Sequence, residues 1–216
     1  MVKIKICGLK RLVDIEFVNK YKPDYIGFVF ANTKRKVSHG LAKRLKDNLS
    51  SDIIAVGVFV DADADEILKL YNDNIIDVAQ LHGSESEEYI KILKEKTNYN
   101  LKIINAIEMN DEIDLLKYDN SIADFLLLDN GKGSGKTFDW RLIRKDLKKD
   151  FFLAGGLNSS NIKQAIDEFN PYAVDLSSSL EINGYKDENK IKEIMEVIRW
   201  ITEDMVNMVV NTYLKL

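Results

Sequence analysis

The sequence predicts an α/β chain folded as a single (β/α)8 TIM barrel spanning residues 1–216. Three observations point there. Eight short runs rich in Val, Ile, Phe and Tyr recur along the chain. Segments with helical apolar spacing separate them. No Gly/Ser-rich hinge or low-complexity linker divides the chain, and proline occurs only at Pro23 and Pro171. Strand–helix alternation implies parallel strands covered by helices, and eight such units exhaust the chain. An open doubly wound sheet is the alternative. Against it, the first strand-to-helix turn, Cys7-Gly8-Leu9, lacks the Gly-x-Gly-x-x-Gly dinucleotide fingerprint.

The strand-like runs are residues 2–7, 25–30, 53–60, 75–81, 101–107, 123–129, 151–154 and 172–177. Helical spacing follows in Leu12, Ile15 and Val18; in Ile67, Leu68 and Tyr71; in Tyr89, Ile90 and Leu93; and in Ile162, Ala165, Ile166 and Phe169. Ser84 with Glu87 and Asp63 with Glu66 read as helix-start caps, and Asn158, Asp139 and Asp187 are further cap candidates. The last helix is expected over about 187–216. Its end carries an apolar stripe, Met205, Val206, Val209, Val210, Tyr213 and Leu214, suited either to packing on the barrel or to a homodimer interface.

Composition narrows the function. Thirty-one Lys+Arg against thirty-five Asp+Glu gives a net charge of −4, without the basic surplus of a nucleic-acid binder. Apolar stretches fall far short of the ~20 residues that cross a bilayer, so no membrane partner is expected. The opening Met1-Val-Lys-Ile-Lys5 shows no secretory signal, and a lone cysteine suits a reducing compartment, so a cytoplasmic location is expected. Two histidines and one cysteine make a metal site unexpected.

In a barrel of this kind, chemistry sits where strands end. Cys7 closes the first run. It is either a small buried hydrophobe or, beside a cation, a general base. Asp129 closes the sixth and reads either as a turn cap or as a general acid whose pKa burial would raise. Asn130-Gly-Lys-Gly-Ser-Gly-Lys-Thr137 approaches a P-loop, but Asn130 stands where that motif needs its first glycine, so a rim loop is expected instead. Gly155 and Gly156 after the seventh run, with Ser178 and Ser179 after the eighth, fit the phosphate-binding loops of such barrels; two ordinary turns are the bland alternative. Arg35 belongs to a cationic run and offers a fork for a carboxylate. Gln80 and His82 end the fourth run as rim residues. Strand parity turns Lys3 and Lys5 inward with Cys7, and Asp175 is the expected partner of Lys5.

In order, Lys5-Ile-Cys-Gly-Leu9, Gly27-Phe-Val-Phe30, Arg35-Lys-Val-Ser38, Val56-Gly-Val-Phe-Val60, Ala79-Gln-Leu-His-Gly83, Leu128-Asp129, Gly133-Ser-Gly-Lys-Thr-Phe-Asp-Trp140, Leu153-Ala-Gly-Gly-Leu-Asn158 and Val174-Asp-Leu-Ser-Ser178 together resemble the phosphoribosylanthranilate isomerase family of tryptophan biosynthesis. The resemblance implies an Amadori rearrangement of a phosphorylated aminoaldose without cofactor or metal. Asp129 is then the general acid and Cys7 the general base. Arg35 holds the anthranilate carboxylate, Gly155, Gly156, Ser178 and Ser179 hold the phosphate, and Gln80 and His82 line the substrate. The chain departs from the pattern at Ser179, where the family commonly has Gly, and at Lys10, where loss of a helix cap is expected. The sister isomerase barrel of histidine synthesis and a non-catalytic binding barrel are the alternatives.

Overall fold

The structure, a computed structural model, describes residues 2–131 and 138–213, with side chains to Ile201. Eight parallel strands close into one barrel in chain order: β1 (Lys3–Cys7), β2 (Tyr25–Val29), β3 (Ile54–Phe59), β4 (Val78–Leu81), β5 (Lys102–Glu108), β6 (Phe125–Asp129), β7 (Phe151–Leu153) and β8 (Ala173–Leu176). The β1–β8 pairing, with Lys5 opposite Asp175, closes the ring. The open doubly wound sheet is thereby excluded. β4 starts later than the sequence predicts, because Ile75 and Ile76 donate their N–H groups back to Leu70; they are apolar as core residues of a turn.

Helices α1 (Leu12–Tyr21), α2 (His39–Asp47), α3 (Ala64–Asn72), α4 (Glu87–Lys96), α5 (Leu116–Asp119), α6 (Ile162–Phe169) and α7 (Glu188–Tyr213) surround it. The eightfold repeat is irregular. The fifth unit keeps one helical turn, and among the described residues the sixth has only a 3-10 turn, Trp140–Leu142. The stretch that follows, Arg144-Lys-Asp-Leu-Lys-Lys-Asp150, is too charged to offer a helical apolar face.

Asp63, Asp139 and Asp187 cap as expected, each accepting a backbone N–H two or three residues on. Ser84 does not. Ser86 caps α4 by accepting from Tyr89 N–H, while Ser84 is tied to Asp61. Asn158 organises the turn before α6, accepting from Ser160 N–H. The cap expected lost at Lys10 is replaced: α1 starts beyond Arg11, and the Asp14 carboxylate accepts from the N–H groups of both Lys10 and Arg11.

Period-two alternation splits each strand between two cores. Outward residues such as Ile6, Phe28, Phe59 and Leu126 pack under the helices. Inward ones, including Tyr25, Val56, Val78, Ile104, Leu127 and Phe152, fill the barrel. The Tyr25, Phe125, Phe152 and Tyr172 rings pack together at the end where the strands start. Higher up, the filling turns polar. Lys5 is fully buried and bonded to Asp175 at 2.9 Å, as strand parity predicts. Lys3 departs from that expectation. At the open lower end it stays half in solvent and bonds Asp24 at 2.8 Å.

After β8 comes an element the sequence reading lacks. A two-stranded hairpin, β9 (Glu181–Ile182) and β10 (Tyr185–Lys186), turns at Asn183 and Gly184, both with positive φ. Asn-Gly is the preferred dipeptide for such a two-residue turn, so the signal was present.

Candidate active site

The carboxyl ends of the strands surround a cavity of about 920 Å3. Cys7, Gln80, Asp129, Asp175 and Ser177 reach it because each sits on an inward position at its strand's end. The loops add Arg35, His82, Gly155, Gly156, Ser178 and Ser179. Every site residue named from the sequence therefore borders one space.

Cys7 is buried at the end of β1. Glycine at position 27 on neighbouring β2 makes room for it, since a Cβ there would stand 2.6 Å from the sulfur. Burial pushes the thiol above its ordinary value, although the Lys5 and Lys186 cations pull the other way. At Lys5 burial opposes the charge, but Asp175 and the Cys7 sulfur outweigh it and raise its pKa, so a cation persists close to the thiol.

Asp129 lies three strands round the ring from Cys7, buried at the end of β6. Its carboxylate is 3.5 Å from His82 Nε2, and His82 Nδ1 meets the Gln80 amide at 3.2 Å. The three form a row along the rim, with the histidine oriented between an amide and a carboxylate. Gly155, at φ +80°, lets the β7 loop approach: a Cβ there would lie 3.2 Å from Asp129 Oδ1 and 3.1 Å from Asn130 N.

Arg35 is already engaged. Its Nε and Nη2 donate to the two oxygens of Glu181 at 2.7 and 2.9 Å. Glu181 Oε1 also accepts from the buried Lys186 ammonium at 2.8 Å, and Lys186 donates to Ser177 O at 2.9 Å. The Ser177 hydroxyl donates to Cys7 O at 3.1 Å. Glu181 and Lys186 are the charged residues that sequence reasoning missed. The Asn183-Gly184 turn could have placed them opposite one another, but nothing local places them beside Arg35.

Ser178–Leu180 forms a 3-10 turn above β8, and the Ser179 hydroxyl is buried without a hydrogen-bond partner among the described residues. A second cavity of about 470 Å3 opens there, lined by Gly156, Asn158, Ser178, Ser179 and Lys190. The residues expected around a phosphate thus cluster at one side of the mouth. Lys132, Gly133, Ser134, Gly135, Lys136 and Thr137, expected to form a rim loop, lie outside the described residues.

Comparison with known proteins agrees with this arrangement. Residues 4–197 match the family described as N-(5'-phosphoribosyl)anthranilate (PRA) isomerase. The N-(5'-phosphoribosyl)anthranilate isomerase of Endomicrobium trichonymphae is 48% identical over 205 residues, covering 92% of this chain and 99% of that one. A phosphoribosyl anthranilate isomerase solved in complex with reduced 1-(o-carboxyphenylamino)-1-deoxyribulose 5-phosphate superposes with a TM-score of 0.81 at 34% identity, covering 92% of this chain and 99% of the other. So does a monomeric form generated from the dimeric enzyme of Thermotoga maritima, with the same TM-score, identity and coverage. With its fold and its sequence in agreement, the chain belongs to the N-(5'-phosphoribosyl)anthranilate isomerase family.

Proposed function

We propose that the chain converts N-(5'-phosphoribosyl)anthranilate into 1-(2-carboxyphenylamino)-1-deoxyribulose 5-phosphate, with Asp129 as general acid and Cys7 as general base. Asp129 gives its proton to the furanose oxygen, and the ring opens to an iminium at C1. Cys7 removes the proton from C2, and the electron pair flows into the iminium to form an enolamine. Tautomerisation yields the ketone. The protonated imine is itself the electron sink for the C2 carbanion.

One observation carries this reading: Cys7 and Asp129, on strands three apart round the ring, line a single cavity whose rim also holds Arg35, Gly155, Gly156, Ser178 and Ser179. A sugar bound between them meets acid on one side and base on the other, which is the arrangement that proximity catalysis needs. The two glycines permit close backbone approach to the phosphate, and the serines add hydroxyl donors. Arg35 takes the anthranilate carboxylate, and His82 and Gln80 border the substrate. The thiol is held protonated at rest by burial, so the basic form depends on the nearby Lys5 and Lys186 cations.

The test is turnover of freshly made phosphoribosylanthranilate, followed by loss of its fluorescence. Cys7→Ala and Asp129→Asn should each lower kcat by ~100-fold or more with folding retained. Near-normal turnover in either variant overturns that residue's role.

A homodimer, as described for the Thermotoga maritima relative, is proposed from the apolar stripe between Met205 and Leu214. The stripe's side chains lie outside the described residues. Sedimentation of the full chain and of a variant ending at Asp204 tests it; equal masses would reject it.

A further inference from the structure

The hairpin after β8 holds one charge, Glu181, that the acid–base chemistry does not use. Glu181 and Lys186 are directly paired across it, and both converge on Arg35. The Arg35 stem crosses Gly8, where a Cβ would come within 2.5 Å of Arg35 Cδ. Its Nε–Nη2 edge is consumed by Glu181. A guanidinium is a rigid planar fork, so fixing one edge fixes the direction of the other, Nη1 side. Glu181 is held from behind by Lys186, which also bonds Ser177 O. Arg35 and Glu181 both border the cavity.

We propose that Glu181 is a positioning residue for substrate recognition: it clamps Arg35 so that the free edge of the guanidinium presents to the anthranilate carboxylate, making the site selective for a carboxylated aryl amine. The proposal deepens the reading that Arg35 binds that carboxylate and rests on it. Glu181 is a clamp and not a competitor that the substrate must displace. Leaving Arg35 would not free it, because Lys186 is buried and has Glu181 as its counter-charge.

The experiment compares kcat and KM of wild type, Glu181→Gln, Glu181→Asp and Arg35→Met on two substrates: phosphoribosylanthranilate and the analogue made from aniline, which lacks the carboxylate. Glu181→Gln should raise KM for the carboxylated substrate by about tenfold, with kcat changed by less than about threefold, because the lost interaction serves binding in ground and transition states alike. Glu181→Asp keeps a charge for Lys186 but shortens the reach to Arg35, and should show the same KM rise. On the aniline analogue Glu181→Gln and Glu181→Asp should match wild type within about twofold. A lower KM in Glu181→Gln would make Glu181 a competitor and overturn the proposal. So would equal losses on both substrates, which would mark a general structural role. A wild-type KM in Arg35→Met would sink the carboxylate assignment itself, and the clamp with it; a normal Glu181→Gln beside an impaired Arg35→Met would sink the clamp alone.

Discussion

The Lys5 ammonium and the Asp175 carboxylate meet at 2.9 Å inside the barrel, two residues along β1 from the Cys7 thiol. This pair joins the first strand to the last and places a permanent cation near a buried thiol. Burial of two charges is costly, and breaking the pair leaves one of them uncompensated. Lys5→Met should therefore destabilise the fold by about 3–5 kcal/mol, while Lys5→Met with Asp175→Leu should recover much of that loss. Urea unfolding of the three proteins decides it: a double variant no more stable than the single one contradicts the pairing argument.

The thiol sets a pH dependence. Burial raises Cys7 above the ordinary 9.0, so at neutral pH most of it is protonated and the basic form grows as pH rises. The alkylation rate of Cys7 by iodoacetamide should climb through the alkaline range. An alkylation midpoint below that of a free thiol would contradict the account.

Glu181 sets another. Burial opposes its charge, but Arg35 and Lys186 outweigh it and hold the carboxyl at about 2, below the ordinary 4.5. Its pKa is depressed on folding, so its stabilising contribution is complete above 4.5 and fades as pH falls toward 2. The stability gap between wild type and Glu181→Gln should narrow across that window. A gap that stays constant from pH 6 to about pH 3 would show that the carboxylate charge is not the source.

Gly155 should not tolerate a side chain. Its φ of +80° is left-handed, and an added Cβ would crowd the backbone N of Asn130 and the carboxylate of Asp129. Gly155→Ala is expected to cost about 1–2 kcal/mol in stability. It should also lower kcat by displacing the acid. Gly184, with φ +78° but no atom of the described residues within 4 Å of an added Cβ, supplies the control: Gly184→Ala should carry the backbone cost alone. Equal kcat for the two variants would refute the crowding argument.

Much of the barrel was legible because strand and helix periodicities are local. Val56, Val58 and Gln80 announce their face by alternation, and the place of Cys7 and Asp129 at the cavity follows from where their strands stop. Asp175 was legible as the partner of Lys5 because strand parity carries across a closed ring. The rest depends on contacts that no window contains. Arg35 and Glu181 are 146 positions apart, and the hairpin bearing Glu181 has only two residues per strand, too short for alternation to show. That the unit after β6 has only a 3-10 turn among the described residues was visible as charge without an apolar stripe. Ser84 and Ser86 were harder to separate, because both precede acidic residues and only the tie to Asp61 decides between them.

The ring shuts between the first strand and the last, with consequences during synthesis. A chain emerging from the ribosome through β7 already carries the Cys7 thiol and the Asp129 carboxyl. It still lacks the partner of Lys5, the hairpin that grips Arg35, and any cover for the hydrogen-bonding edge of β1. Competence therefore arrives in one late event, and until then that bare edge is the stretch most in need of protection from other chains.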